Sequence, residues 1–148
     1  MGHPPTCCDA EMTTSSRTAV SLRIYHEDTD SGGVVYHANY LRYMERARTE
    51  WISERGLDHD RVACEFNLMF VVRSVDIRFL RPARLGDRLE ASAELISLRH
   101  GLLTFDQRVV RGTEELARAN VRVISVSVND FKSTGVPEGM LQLLGVNL

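Results

Sequence analysis

The sequence is poor in several features that would assign it to a large class of proteins. Its three cysteines, two of them adjacent at Cys7 and Cys8, form neither a disulfide framework nor a zinc-ligand pattern, so we expect reduced thiols. The formal net charge of −2 argues against a general nucleic-acid-binding protein. No apolar run is long enough to cross a bilayer, and the N-terminus has no apolar stretch of the secretory type. We therefore expect a cytoplasmic protein without stable membrane insertion.

The chain also contains no P-loop, no G-x-G-x-x-G fingerprint and no cluster with metal-ligand spacing, so we predict no metal and no cofactor. Its 148 residues, 43% hydrophobic and 26% charged, fit one globular domain. Residues 1–18 are rich in Ser, Thr and Pro without periodicity and predict a flexible N-terminal tail. Residues 19–148 then form the single domain.

Hydrophobic periodicity divides this domain into strands and one long helix. Alternating apolar and polar residues predict strands at residues 19–25, 70–80, 88–98, 102–110 and 115–128. Short glycine-containing turns follow residues 98 and 110, which indicates strands joined by hairpins into an antiparallel sheet.

Residues 38–55 have the periodicity of a helix. Tyr40, Met44, Ala47 and Trp51 recur at helical spacing, and Gly56 stands where a helix ends. A sheet must cover so wide an apolar stripe. The prediction is an α+β fold in which an antiparallel sheet of about five strands wraps round one long central helix. The exposed edges of such a sheet favour pairing with a second copy.

The loop before the helix carries the candidate chemistry. Asp30 precedes the adjacent glycines Gly32 and Gly33, and His37 follows near the helix N-terminus. This order brings a carboxylate close to free backbone N–H groups, which is the arrangement needed to attack a carbonyl and stabilise the oxyanion that forms. The alternatives are that Asp30 only shapes the turn and that His37 only caps or packs the helix.

The ordered run Y-x-E-D-T-D-x-G-G-V-V-Y-H-x-x-Y, followed by Y-M-E-R-A-R-T-E, resembles the hotdog-fold acyl-CoA thioesterases. The likeness is to the YbgC type associated with the Tol-Pal system, with the 4-hydroxybenzoyl-CoA thioesterases as more distant relatives. Residues 70–73, 82–85 and 97–99 extend the match. The resemblance implies a hotdog domain that hydrolyses acyl-CoA to a free acid and CoA, with no cofactor because CoA is part of the substrate.

The resemblance also implies roles for individual residues. Asp30 is the nucleophile or general base, and His37, with its backbone N–H as oxyanion donor, is the second catalytic residue. Substrate-binding positions are Gly33, Val34, Tyr36, Tyr40, Glu45 and Arg99. Tyr36, Tyr40 and Glu45 have a structural alternative, as core or helix-face residues. The expected partners are acyl-CoA, acyl carrier protein as an alternative thiol carrier, and further copies in a homodimer or homotetramer.

The chain departs from the family after the turn at residues 97–99, where these enzymes often carry Ser or Thr and this chain has Gly101 and Leu102. Phe66, Leu68, Met69 and Phe70 either line an acyl tunnel or belong to the core. Three other functions stay open. One is a hydratase or dehydratase of acyl thioesters, although an acid placed before the histidine across a Gly-Gly turn suits hydrolysis better. Another is a non-catalytic acyl-CoA-binding protein, which would not need Asp30. The third, which only the Tol-Pal association of the similar proteins suggests, is a scaffold role in cell-envelope maintenance.

Overall fold

The computed structural model describes residues 11–12 and 16–147. Its main feature is a five-stranded antiparallel sheet, in which the strands defined below lie in the order β2-β4-β5-β6-β3. The strands of the described part are β1 Glu11–Met12, β2 Arg17–Arg23, β3 Leu68–Phe79, β4 Arg88–Arg99, β5 Leu102–Arg111, β6 Glu114–Ser127 and β7 Val146–Asn147. The helices there are α1 Asn39–Ser53, α2 His59–Phe66 and α3 Glu138–Leu143, with a 3-10 turn at His26–Asp28. β1 and β7 pair separately as a small two-stranded sheet.

The hairpins of the sheet follow from local sequence. Along β5 the side chains alternate between buried and half-buried, as expected for a strand with one face on the core. His100 and Gly101 both have positive φ, 50° and 79°, which is the backbone of a tight two-residue hairpin turn between β4 and β5. The predicted antiparallel sheet of five strands is confirmed.

Helix α1 packs its apolar stripe against the inner face of the sheet, over β2, β4 and β5. Met44, Ala47 and Trp51 on this stripe are 0% exposed. Gly56 adopts a φ of 76° just beyond the helix, and its N–H donates to the Ser53 carbonyl, so the predicted helix end is confirmed. The α+β architecture with a long helix held by the sheet is therefore as predicted.

The sequence did not predict α2. Its N-cap is Asp58, whose side chain accepts a hydrogen bond from Arg61 N at 2.9 Å, and it ends at Asn67 with a φ of 57°. Val62 is the one buried residue of this helix, so the segment has no apolar stripe that periodicity could reveal. Residues 17 and 18 of the predicted tail lie in β2, and residues 1–10 and 13–15 lie outside the described part of the chain.

β3 forms one edge of the sheet, since it pairs only with β6 among the described strands. On this edge Val72, Val75 and Phe79 remain 45%, 37% and 50% exposed. An edge strand with exposed apolar side chains leaves both its hydrogen-bonding groups and its apolar surface unsatisfied. Among the described residues, no helix is long and apolar enough to cross a membrane.

Candidate active site

The acid loop, residues 28–36, folds into a narrow hairpin ahead of α1. Asp30 N donates to the Val34 carbonyl at 2.9 Å, and Gly33 N donates back to the Asp30 carbonyl at 3.0 Å. Gly33 takes a φ of 79° in this turn, a conformation that other residues rarely adopt. Val34 then forms a bridge with Arg84, which fastens the loop to the segment before β4.

The Asp30 carboxylate is exposed and oriented by its own turn. Its Oδ1 accepts a hydrogen bond from Gly32 N at 2.9 Å, while Oδ2 has no hydrogen-bond partner within the described residues. A Cβ added at Gly32 would lie 3.2 Å from Oδ1, so a side chain there would crowd the carboxylate. The turn-forming role of Asp30 is real, and it leaves one carboxylate oxygen available for chemistry.

The amide end of α1 lies at His37 and Ala38. Helix α1 begins at Asn39, and the N–H groups of residues 39–41 donate to the carbonyls of residues 36–38. Within the described residues, the N–H groups of His37 and Ala38 have no hydrogen-bond acceptor. Two unpaired N–H groups at the positive end of a helix dipole are a suitable site for a developing oxyanion.

Aromatic rings surround this amide end. The His37 and Tyr36 rings are both exposed and lie 4.6 Å apart, and the edge of Phe79 approaches His37 at 6.1 Å. Tyr40 lies beneath them, 3% exposed, and its hydroxyl accepts a hydrogen bond from Ala83 N at 3.0 Å. Of the two predicted tyrosines, Tyr36 therefore lies at the surface of the site and Tyr40 in the core.

Asp28 anchors the acid loop from below. Its Oδ2 accepts a hydrogen bond from Tyr25 N at 2.8 Å, and its carbonyl accepts two further bonds, from Tyr36 N at 3.0 Å and from Asn39 Nδ2 at 2.9 Å. The buried Tyr43 hydroxyl has no well-formed hydrogen bond. Burial first, and the neighbouring Asp28 carboxylate next, raise the pKa of Tyr43 well above its ordinary value.

A cavity of about 510 Å³ lies further along α1, between α1, α2 and β3. Its walls are mostly apolar and include Ile52, Leu57, Val62, Leu68, Met69, Phe70, Val72, Val123 and Val128. Leu68, Met69 and Phe70 thus line this cavity, whereas Phe66, the fourth residue named for an acyl tunnel or the core, does not. Glu45 contributes to the wall and is exposed, and neither Asp30 nor His37 reaches this cavity.

Arg48 also lines this cavity, although no pattern in the sequence marked it as a site residue. It is half-buried, and its Nη1 donates to Gln107 Oε1 at 2.9 Å. Burial lowers the pKa of Arg48, with the Glu45 charge acting in the opposite direction. One signal in the sequence was Gln107, a polar residue at an inward position of β5 between Phe105 and Val109. A buried amide needs hydrogen-bond partners, so a polar residue such as Arg48 had to face it.

Comparison with known proteins shows the family of this chain. The model of the thioesterase superfamily matches residues 32–118. The chain belongs to the thioesterase superfamily. The acyl-CoA thioesterase YbgC of Haemophilus influenzae is 38% identical over 117 residues, 79% of this chain and 86% of the relative. The acyl-CoA thioester hydrolase YbgC of Escherichia coli is 39% identical over 121 residues, 81% of this chain and 90% of the relative.

A crystal structure of a probable thioesterase from Bartonella henselae superposes with a TM-score of 0.78 at 31% identity, covering 82% of this chain and all of that one. The predicted family and hotdog fold are therefore confirmed. The predicted site residues, by contrast, rest on the local geometry of this chain.

In this member of the thioesterase superfamily the β4–β5 hairpin is separate from the acid loop. Arg99 is exposed at the end of β4, and it belongs neither to the acid loop nor to the walls of the 510 Å³ cavity. A Cβ added at Gly101 would lie 2.5 Å from the Thr134 carbonyl oxygen and 2.8 Å from Ser125 Oγ. Thr134 after β6 and Ser125 within β6 therefore occupy the space that a side chain at position 101 would need.

Proposed function

We propose that this protein hydrolyses acyl-CoA thioesters to a free carboxylic acid and CoA. The observation that carries the proposal is the exposed Asp30 carboxylate, held by its own turn in the loop that leads directly to the unpaired N–H groups of His37 and Ala38. Membership of the thioesterase superfamily supports it, as do the two YbgC relatives, both named for acyl-CoA thioester hydrolysis.

The Asp30 Oδ2 atom would act in one of two ways. As a nucleophile it forms a C–O bond to the thioester carbon, the C–S bond breaks, and water then hydrolyses the acyl-enzyme anhydride. As a general base it removes a proton from the water that attacks the carbon. In both routes the carbonyl oxygen becomes negatively charged beside the N–H groups of His37 and Ala38, and the CoA thiolate leaves. Neither route requires a metal or a cofactor.

The remaining site residues take supporting roles in the proposal. The His37 imidazole protonates the departing thiolate, a general-acid role that histidine side chains commonly take. Gly33, Val34 and Tyr36 form the surface along which the thioester lies, and Tyr40 supports that surface from the core. Glu45 borders the 510 Å³ cavity, which would take the distal part of a long acyl chain because Asp30 and His37 do not reach it. Arg99 offers its charge to the CoA phosphates.

A second copy of the chain completes the assembly that we propose. The free edge of β3, with exposed Val72, Val75 and Phe79, favours a homodimer, and two dimers can form a homotetramer. The resemblance supports two further proposals, an association with the Tol-Pal system and use of acyl carrier protein as a thiol carrier. We also propose a cytoplasmic location, as expected from the sequence.

The test is thiol release from short-chain, long-chain and aromatic acyl-CoAs by the wild type, Asp30→Asn and Glu27→Gln. Glu27 is an exposed carboxylate in the turn just before the acid loop, so its variant makes a matched change of charge. We expect Asp30→Asn to lower kcat by about 10²–10⁴-fold and Glu27→Gln to leave it near the wild-type value. Equal activity in all three proteins would refute the role of Asp30. Binding of acyl-CoA without thiol release would favour the binding protein, and hydration of an enoyl-CoA would favour the hydratase.

A further inference from the structure

Asn39, the first residue of α1, has a buried polar side chain that the proposed chemistry leaves unused. It is 8% exposed, although the first turn of a helix usually allows a side chain to reach water. Its amide does not cap the helix, because the N-cap residue is Ala38 and no side chain caps this end. Burying a side-chain amide costs free energy unless the amide forms hydrogen bonds. The hydrogen-bond partner of Asn39 therefore indicates the role of this residue.

That partner is a single backbone carbonyl, the one of Asp28. Asn39 Nδ2 donates to this oxygen at 2.9 Å, and Tyr36 N donates to the same oxygen at 3.0 Å. The Asp28 carbonyl lies two residues before Asp30, and Tyr36 lies directly before His37. One oxygen atom therefore ties the start of the acid loop both to the residue before His37 and to the first residue of the helix.

Asn39 also contacts Tyr36 directly. Its own backbone N–H donates to the Tyr36 carbonyl at 2.9 Å. Asn39 and Tyr36 thus contact each other through the backbone and share the Asp28 carbonyl as acceptor. These three contacts hold the end of the acid loop that leads to His37, while its middle is held through Val34 and Val35 to residues 83 and 84.

We propose that Asn39 is a positioning residue, whose side-chain amide sets the distance between the Asp30 carboxylate and the unpaired N–H of His37. The inference rests on the proposed function, in which these two groups act on opposite sides of one thioester carbon. Asn39 does not touch the substrate; it acts through Asp28 and Tyr36. A small error in the position of reacting groups is costly, because about 1 Å of displacement can lower a rate about 10²-fold.

The experiment combines two variants at position 39 with a matched control at the other end of α1. Asn39→Ala removes the amide, and Asn39→Asp keeps its shape but replaces the donor with an acceptor. The control is Thr18→Val, which keeps the side-chain shape and removes the 2.7 Å hydrogen bond from Thr18 Oγ1 to Glu54 at the C-terminal end of α1. Each variant is made alone and with Asp30→Asn, at enzyme concentrations that allow residual thiol release to be measured. Thermal unfolding is recorded for every protein.

We expect both Asn39 variants to lower kcat by about 10- to 100-fold, with KM near the wild-type value, while Thr18→Val keeps kcat despite a similar loss of stability. In the Asp30→Asn background the Asn39 variants should cause no further fall, because there is no carboxylate left to position. Wild-type kcat in Asn39→Ala, an equal fall in both backgrounds, or an equal fall in Thr18→Val would each overturn the proposal. An Asp30→Asn variant as active as the wild type would instead refute the role of Asp30 in the proposed function.

Discussion

The N-terminal and C-terminal ends of α1 differ in how many of their polar groups already have partners. At the C-terminal end, Trp51 Nε1 donates to the Ser16 carbonyl at 2.9 Å, Glu54 accepts the hydroxyl of Thr18, and Arg55 lies 3.4 Å over the Trp51 ring. At the N-terminal end, the N–H of His37 has no acceptor within the described residues. We call the C-terminal end, residues 51–55, the closed end, because its polar groups are bonded and contribute stability. The N-terminal end, residues 37–40, is the open end, because its unpaired N–H groups stay available for a ligand.

Trp51→Ala should break the closed end and cause the largest loss of stability. The side chain is 0% exposed, and its ring meets Phe105 edge-on at 5.4 Å. Truncation of a large buried aromatic costs about 3–5 kcal/mol. Chemical denaturation measures the loss, and kcat per folded molecule should stay near the wild-type value. A large fall in kcat without loss of stability would contradict the division of roles between the two ends.

His37→Pro should break the open end, because proline has no backbone N–H to offer an oxyanion. Loss of one such donor lowers kcat about 10²–10³-fold. His37→Ala is the matched control, since it removes the imidazole and keeps the N–H. We expect thiol-release assays to show a markedly smaller fall for His37→Ala, and thermal unfolding should show that both variants fold. If the two variants lose the same activity, the side chain and not the amide is the important group.

Tyr40→Phe sharpens the comparison, because Tyr40 lies at the open end but belongs to the core. The variant leaves the Ala83 N–H without an acceptor in a fully buried place, and this costs about 1–3 kcal/mol. The exposed Tyr36 provides the control as Tyr36→Phe, which should have little effect on the unfolding free energy. A Tyr40→Phe variant with unchanged stability and lowered kcat would place its hydroxyl in the site instead.

Asp87→Asn tests the turn that supports the open end, and should have the smallest effect. Burial acts to raise the pKa of Asp87, but hydrogen bonds from the Arg84 N–H and the Arg111 guanidinium outweigh it and hold the pKa below its ordinary value. Solvent still reaches both partners, which are half-buried, so the pair contributes only about 0.2–1 kcal/mol. The contribution is present above the unfolded-state pKa of about 3.9 and is lost as the pH falls through the lower folded-state pKa.

The difference in unfolding free energy between the wild type and Asp87→Asn should therefore be present at neutral pH and shrink below about pH 4. Urea denaturation at a series of pH values measures it. Arg111 also bonds Glu114, so Glu114→Gln serves as the comparison for a carboxylate on the same arginine but outside the turn. A difference that grows towards acid pH would mean that the Asp87 pKa is raised and not lowered.

Local sequence signals were enough to predict most of the fold. The five strands of the main sheet and α1 lie within two residues of their predicted bounds, because alternation and hairpin turns are properties of neighbouring residues. The acid loop was predictable for the same reason, since Asp30, Gly32 and Gly33 interact with one another. Helix α2 escaped prediction because it presents a single buried side chain, Val62.

Features that join distant segments could not be predicted in the same way. The cavity wall combines α1, α2, β3 and β6, whose order in the chain says little about their separation in space. The contact between Arg48 and Gln107 spans 59 positions of sequence. The hydrogen bond from Asn39 to the Asp28 carbonyl depends on the path of the backbone between the two residues, which the residue types do not specify. The sequence shows such residues as polar, but only the fold shows which of them are buried together.

The crowding at Gly101 bears on how this chain can be redesigned. The Thr134 carbonyl and the Ser125 hydroxyl occupy the volume of any side chain at position 101, and the Ser125 hydroxyl donates to the same Thr134 carbonyl. Grafting a serine from a relative onto this hairpin would therefore fail unless the path of residues 132–135 were rebuilt at the same time. The two segments form one exchangeable module, and a chimera should swap both or neither.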